Sequence, residues 1–231
     1  MDETRRRRVL FVCGFNPYSL CAWNTHYDAV RDFFASAGMD ATYFTYTWAE
    51  CAVSVYARLS GELKRDREYD DIVAHGMGCA LVGEYFTRHP EEAGAYGSVV
   101  LCMPLITGDN AALALLTHVP FAGLVPLPAG VMSLLTLAAP ASAAEMLNVF
   151  CCQQLAHVYR TWLPKLDLRL IERPNVHVIY GNRDSLCPIG ASTLARARKL
   201  YRVEGAHEPY IAPWSEGAFF AALGAALRPR R

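Results

Sequence analysis

The chain has 231 residues, of which 53% are hydrophobic and 19% charged, with 22 acidic and 22 basic side chains. That length and composition predict one globular domain with a full-sized core, spanning residues 1–231. Seven basic residues stand at the two ends: Arg5, Arg6, Arg7, Arg8, Arg228, Arg230 and Arg231. The remaining body is mildly acidic, which argues against a nucleic-acid groove. The basic ends, 1–8 and 228–231, are predicted to be solvated tails, with contact to anionic lipid or nucleic acid, or a targeting signal, as the alternatives.

Cysteine and histidine usage bears on compartment and metal binding. The eight cysteines show no C-x-x-C spacing, and several fall in apolar runs. Buried free thiols in a reducing compartment explain this better than a disulfide framework. The seven histidines show no ligand-like pairing, so no metal is predicted, and no cofactor either. About five apolar residues separate the first arginines from Gly14, too few for a signal-peptide core, so an intracellular, cytoplasmic location is expected.

Short apolar runs alternate with helical repeats along most of the chain. Strands are predicted at 9–13, 41–46, 72–75, 98–103, 176–180 and 200–203. Helices are predicted at 27–37, 52–64, 77–89, 189–198 and 213–227. Strands that alternate with helices predict an α/β fold, with a mostly parallel sheet of about six strands and helices on both faces.

One stretch between Met103 and Val176 interrupts this alternation. Residues 110–144 contain no Asp, Glu, Lys or Arg. Four prolines divide this stretch: Pro120, Pro126, Pro128 and Pro140. A transmembrane helix is therefore not predicted. Instead we predict a helical cap insertion at about 105–170, with an apolar small molecule or acyl ligand beneath it. Peripheral membrane contact is the alternative, and the sequence leaves the oligomeric state open.

The segment from Asp71 to Phe86 reads as a buried strand, a sharp turn and a helix. Its centre, Ala74-His75-Gly76-Met77-Gly78-Cys79, has the spacing of the G-x-S-x-G nucleophile elbow, in which a strained turn lifts a serine above a parallel sheet. Gly76 stands where the serine is expected. The turn is thus predicted without its nucleophile.

Two later loops complete the pattern. Asp184 follows the strand at 176–180 within G-x-x-D-x-x-x-P, and His207 follows the last short strand within G-x-H. Nucleophile, acid and histidine occur in this order in the α/β-hydrolase superfamily. The chain resembles that superfamily over roughly 9–103 and 176–227, and more loosely its capped esterase and monoacylglycerol-lipase-like members.

The resemblance implies a role for each matching residue. It makes Asp184 the acid and His207 the base of a vestigial or active dyad, with Gly76 at the nucleophile position. It also implies that the backbone N–H groups of Phe15 and Met77 form an oxyanion hole. The Asp184 and His207 side chains are then expected within hydrogen-bond reach, with the imidazole facing a space above Gly76 that is open to water or a ligand oxygen.

Other side chains are candidates to replace the serine. Cys79 is expected to point into the packing between helix and sheet. Ser19 and Cys21 lie in or just beyond the predicted oxyanion loop, which is a weak argument for a role. His75 is expected to be a packed support residue beside the turn.

Three functions are compatible with a glycine at the elbow, in this order. The first is a pseudohydrolase that binds an apolar, acyl or ester-like ligand or a protein partner. The second is an enzyme that uses Asp184 and His207 as a general base without a covalent intermediate. The third is a serine hydrolase whose nucleophile was mutated to Gly76.

Overall fold

The computed structural model describes residues 5–14, 27–47, 50–65, 68–110 and 153–228. A six-stranded sheet lies at its centre. The strands are Arg8–Val12 (β1), Asp40–Phe44 (β2), Asp71–His75 (β3), Ser98–Cys102 (β4), Val176–Gly181 (β5) and Leu200–Val203 (β6). Their order is β2-β1-β3-β4-β5-β6, and every neighbouring pair is parallel. The predicted parallel sheet of about six strands is confirmed.

The helices in these residues follow the predicted order. They are Asp28–Ser36 (α1), Ala52–Lys64 (α2), Met77–Arg88 (α3), Gln153–His157 (α4), Ala191–Leu194 (α5) and Pro213–Ala226 (α6). After α4 the chain continues through a π-helical turn, Val158–Trp162, and two 3₁₀ turns, Leu163–Lys165 and Leu168–Glu172.

The prediction of a helix over 189–198 is wrong in extent, because α5 has only four residues. The backbone tightens after Leu194, and the N–H of Arg198 donates to the carbonyl of Ile171 at 3.1 Å. That long-range bond directs the chain into β6. A helical repeat in the sequence could not reveal it.

Two apolar layers cover the sheet, as alternation along β1 shows. Leu10 and Val12 belong to a buried cluster shared with α2 and α3. Val9 and Phe11 belong to a second cluster, shared with α1 and α6. Because successive side chains of a strand point to opposite faces, the two clusters lie on opposite sides of the sheet. Helices on both faces are thereby confirmed.

The β3–α3 unit is central, since β3 lies between β1 and β4 and all five of its residues are buried. Helix α3 begins in close contact with the end of β1. A Cβ on Gly78 would stand 2.5 Å from the carbonyl oxygen of Val12 and 2.6 Å from that of Cys13. Glycine at this position therefore lets the start of the helix lie directly against the strand.

The expectation of a solvated arginine tail is wrong for Arg7 and Arg8. Arg7 donates from Nη2 to the buried carboxylate of Asp71 at 2.6 Å, at the start of β3. Arg8 is the first residue of β1, and its N–H donates to Asp70 at 2.8 Å. Burial of the Asp71 carboxylate calls for a cation beside it, which Arg7 supplies.

Most of the predicted cap, residues 111–152, lies outside the described residues, and its prediction stays open. None of the helices described has both the length and the apolar character needed to cross a bilayer.

Candidate functional site

The turn between β3 and α3 is made by Gly76, whose φ is +52° and ψ −120°. L-residues rarely adopt this conformation, and glycine does so without steric cost. The N–H of Gly76 donates to the carbonyl of Cys102 at 3.0 Å, and its own carbonyl accepts from Leu105 at 3.1 Å and Cys79 at 3.0 Å. The turn is thus fixed by the neighbouring strand β4, the segment after it and the first turn of α3.

Asp184 and His207 are brought together by the loops after β5 and β6. These loops are joined by backbone bonds, including one from the N–H of Arg183 to the carbonyl of Gly205 at 3.0 Å. Nδ1 of His207 lies 2.9 Å from Oδ2 of Asp184. The predicted hydrogen bond between the two side chains is present, although they are 23 residues apart.

The surroundings of Asp184 keep its carboxylate ionised. Burial raises the pKa of Asp184, but the hydrogen bond from His207 and the backbone N–H groups of Cys187 and Leu186 outweigh it, so the pKa is lowered. Those two N–H groups donate to Oδ1 at 2.9 and 3.0 Å. Both carboxylate oxygens therefore accept hydrogen bonds, and a charged acceptor strengthens each of them.

The carboxylate also sets the state of His207. Burial lowers the pKa of His207, but the neighbouring Cys187 thiol and the Asp184 carboxylate outweigh it, so the pKa lies well above its usual value. Since a carboxylate oxygen accepts, Nδ1 carries the proton in the neutral ring. Nε2 is an acceptor in that neutral ring, and it carries a proton at any pH below the raised pKa.

The imidazole of His207 faces Gly76 as expected, but the space between them is not open. A Cβ on Gly76 would lie 2.8 Å from Nε2 and 3.2 Å from Cε1 of His207. Both separations are shorter than ordinary van der Waals contact. The expectation of a free space is wrong, because the imidazole itself occupies the place where a side chain of residue 76 would begin.

His75 holds the backbone of His207 in place through a hydrogen bond. Its Nε2 lies 2.9 Å from the carbonyl oxygen of His207, so that nitrogen donates. Its Nδ1 then accepts from the hydroxyl of Tyr27 at 2.9 Å, and that hydroxyl accepts from the N–H of Gly14 at 2.7 Å. Burial lowers the pKa of His75 to about 3, so the ring is neutral. The predicted supporting position of His75 is confirmed, whereas Tyr27 was missed because no local pattern marks it.

Of the remaining residues predicted for the site, the structure describes Cys79 and Met77. The thiol of Cys79 is fully buried and donates to the carbonyl of Ala74 at 3.2 Å, which confirms that it points into the packing. Met77 begins α3, and helix geometry leaves its N–H without an intrahelical partner. The three predicted residues of the loop after β1, Phe15, Ser19 and Cys21, lie outside the described residues.

One nearby residue was missed by the sequence reasoning. The thiol of Cys187, a carboxylate oxygen of Asp184 and a ring nitrogen of His207 all lie within 4.8 Å of one another. The sequence offered one indication that Cys187 lies near the site, since it belongs to the same G-x-x-D-x-x-x-P motif as Asp184. The three atoms could serve as metal ligands, yet the Asp184–His207 bond satisfies both of those groups without an ion. His89, Glu91 and Glu92 form a second, more exposed group of this kind. The prediction of no metal stays a prediction.

Comparisons with known proteins agree on the fold. No protein-family model matches the sequence, and no curated protein matches it significantly. Among solved structures, a 2-hydroxy-6-oxo-6-phenylhexa-2,4-dienoate hydrolase from a Rhodococcus species is similar over 96% of this chain and 91% of its own, with a TM-score of 0.61 and 15% identity. A proline iminopeptidase-related protein from Thermus thermophilus is similar over 96% and 89%, with a TM-score of 0.58 and 17% identity.

A monoacylglycerol lipase from Paleococcus ferrophilus is similar over 94% of this chain and 91% of its own, with a TM-score of 0.53 and 15% identity. The six parallel strands and flanking helices of this chain match the fold of these hydrolases and of a lipolytic enzyme. The chain has the α/β-hydrolase fold.

Proposed function

We propose that this protein is a pseudohydrolase that binds an acyl- or ester-like ligand at the β3–α3 turn and forms no acyl-enzyme at residue 76. The observation that carries the proposal is the pairing of Gly76 with His207. A glycine in a left-handed turn between a buried strand and a helix supplies no hydroxyl or thiol. The imidazole stands 2.8 Å from where a Cβ would be, too close for a serine side chain in an unshifted site.

The ligand class follows from what the site offers a carbonyl group. The N–H of Met77 lies at the positive end of α3, where a developing negative charge is stabilised. In the proposal, the N–H of Phe15 is the second donor to the same oxygen. The segment 110–144 contains no Asp, Glu, Lys or Arg, a composition compatible with an acyl chain as part of the ligand. A membrane surface is the alternative source of that chain.

A second candidate is catalysis by the imidazole without a covalent intermediate. The 2.9 Å bond between Asp184 and His207 favours it, because it holds the imidazole in place with Nε2 able to accept a proton once the pH exceeds the raised pKa of His207. A general base of this kind contributes roughly 10²–10⁴-fold to a rate. Water then attacks the ester directly, so no product burst precedes steady turnover.

The binding proposal is tested with N-methyloctanamide, an analogue of an octanoyl ester that keeps the carbonyl oxygen and resists hydrolysis. Binding should shift the imidazole resonances of His207 in an NMR titration and leave those of His89, at the far end of α3, unchanged. A saturating titration that leaves the His207 resonances unmoved contradicts the proposal.

Turnover separates the remaining candidates. With 4-nitrophenyl octanoate, we expect no burst and no hydrolysis above that of the His207→Ala variant. Steady hydrolysis that is lost in His207→Ala supports the general-base enzyme. A gain of hydrolysis in Gly76→Ser, lost again when His207→Ala is added, shows that only the nucleophile is missing.

A further inference from the structure

The amino ends of four strands lie together at the edge of the sheet opposite Gly76. The residues directly before β1, β3, β4 and β5 stand at this edge: Arg7, Asp70, Gly97 and Asn175. They meet there because neighbouring strands of the sheet run parallel. All four residues line an open cavity of about 900 Å³. Small-molecule sites have volumes of roughly 300–1,000 Å³, so this cavity can hold a ligand.

The charged groups that line this cavity are mostly cationic. Among the described residues, four guanidiniums and one carboxylate line it: Arg5, Arg7, Arg173, Arg228 and Asp70. The charge of Arg7 is balanced from behind, since its side chain donates to the buried carboxylate of Asp71 at 2.6 Å. The other three arginines form no ion pair with a carboxylate in the described part of the chain. This arginine cavity therefore carries an excess of positive charge.

The arginines reach the cavity from separate parts of the fold, which hold their backbones in place. A guanidinium N–H of Arg7 donates to the carbonyl of Leu227, so the start of β1 is tied to the residue before Arg228. Arg173 follows the second 3₁₀ turn, and its own N–H and carbonyl both take part in backbone hydrogen bonds, at 3.2 and 3.1 Å. The cationic groups are thus brought together by tertiary structure, not by one basic run of the sequence.

We propose that the arginine cavity binds a multiply charged phosphate group, either of a free polyphosphate or of a phosphomonoester headgroup. A guanidinium offers two parallel N–H donors, which match two oxygens of one phosphate. A phosphate dianion has three acceptor oxygens and can bridge several arginines, whereas a carboxylate has two oxygens and a single charge. The unpaired Arg5, Arg173 and Arg228 are the donors to this group, and Arg7 supports the wall between them.

This site is independent of the proposed acyl-binding function. Gly76 follows the carboxyl end of β3, and Asp70 precedes the amino end of the same strand. Because the two sites lie at opposite edges of one sheet, a ligand in the arginine cavity touches neither the elbow turn nor the imidazole of His207. Failure of one proposal therefore leaves the other standing.

The test is a calorimetric titration of the full-length protein with sodium tripolyphosphate at physiological ionic strength. We expect one saturable site, weakened roughly tenfold or more in Arg173→Gln and in Arg228→Gln. Arg31→Gln is the matched control, because it removes the same charge from α1, outside the cavity, and should leave the affinity unchanged. Asp70→Asn removes the opposing charge and should tighten binding by up to about fivefold, while its amide oxygen can still accept from the N–H of Arg8.

Vesicles identify the source of the phosphate. Co-sedimentation compares phosphatidylcholine vesicles that contain phosphatidic acid, a phosphomonoester, with vesicles that contain phosphatidylglycerol, a phosphodiester. A preference for phosphatidic acid that is lost in Arg173→Gln supports a lipid headgroup, and tripolyphosphate binding without that preference supports a free anion.

Unfolding of the variants is checked by their Tm, which should match that of the wild type because neither arginine forms an ion pair in the described residues. Arg173→Lys keeps the charge without the paired donors and should retain intermediate affinity. No saturable tripolyphosphate binding together with no vesicle preference overturns the inference. An equal loss of affinity in Arg31→Gln and in the two cavity variants also overturns it, since attraction by net charge alone then explains the binding.

Discussion

Adding a single methyl group at Gly76 tests the central feature of the site. In Gly76→Ala, the backbone must hold a non-glycine residue at φ +52° and ψ −120°. Such a conformation costs on the order of 1–3 kcal/mol. The new carbon would also lie 2.8 Å from Nε2 of His207. The ring must withdraw, which loosens its 2.9 Å bond to Asp184. Weakening a hydrogen bond to a charged group adds about 1.5 kcal/mol.

We therefore expect Gly76→Ala to lower the free energy of unfolding by about 2.5–4.5 kcal/mol. For a chain of 231 residues this corresponds to a decrease in Tm of roughly 5–18 °C. Differential scanning calorimetry measures the shift directly, and urea unfolding gives the free energy.

Two controls separate the causes. Gly61 lies in α2, where an added Cβ meets nothing within 4 Å. Gly61→Ala should therefore stabilise the protein by up to about 1 kcal/mol. In a His207→Ala background the contact is removed, and only the backbone part of the Gly76→Ala cost, about 1–3 kcal/mol, should remain. An unchanged Tm in Gly76→Ala, or the same loss with and without the imidazole, would refute the reasoning.

Three further outcomes follow from the charged groups. Arg7→Ala should lower the free energy of unfolding by about 3–5 kcal/mol, because it leaves the buried carboxylate at the start of β3 unpaired. Arg8→Ala breaks an exposed pair and should cost less than about 1 kcal/mol, so equal losses in urea unfolding would contradict the assignment. Burial holds the pKa of His75 at about 3 in the folded protein, against 6.5 ordinarily. Below pH 6.5 the unfolded chain binds a proton at His75 that the folded protein does not, so the free energy of unfolding falls by about 1.4 kcal/mol per pH unit towards pH 3. Urea unfolding of His75→Gln across that range should lack this slope, and an identical slope would exclude the buried neutral ring. Asp184→Asn should lower the pKa of His207, since the carboxylate favours the imidazolium, and an NMR titration showing no decrease would count against the pairing.

The sequence alone determined the sheet and the identity of residue 76. Unbroken apolar runs such as Val9–Cys13 mark strands buried on both faces, and helical repeats between them require parallel crossovers. Those signals are local, so they survive without knowledge of any distant contact. The order of Gly76, Asp184 and His207 along the chain resembles that of the α/β-hydrolase superfamily, and that resemblance implied that Asp184 and His207 lie within hydrogen-bond reach near Gly76.

Only the tertiary structure decided how those loops meet. The 2.8 Å approach of His207 to the missing Cβ of Gly76 depends on loop bonds and on His75, which is 132 residues from His207 in sequence. The proximity of Cys187 to the imidazole arises in the same way, since neither residue carries a pattern that names the other. Contacts of this kind are set by long-range packing to within an ångström. Hydrophobic periodicity places an element but not the side chains at its end, so the sequence located the site and the packing determined what its imidazole touches.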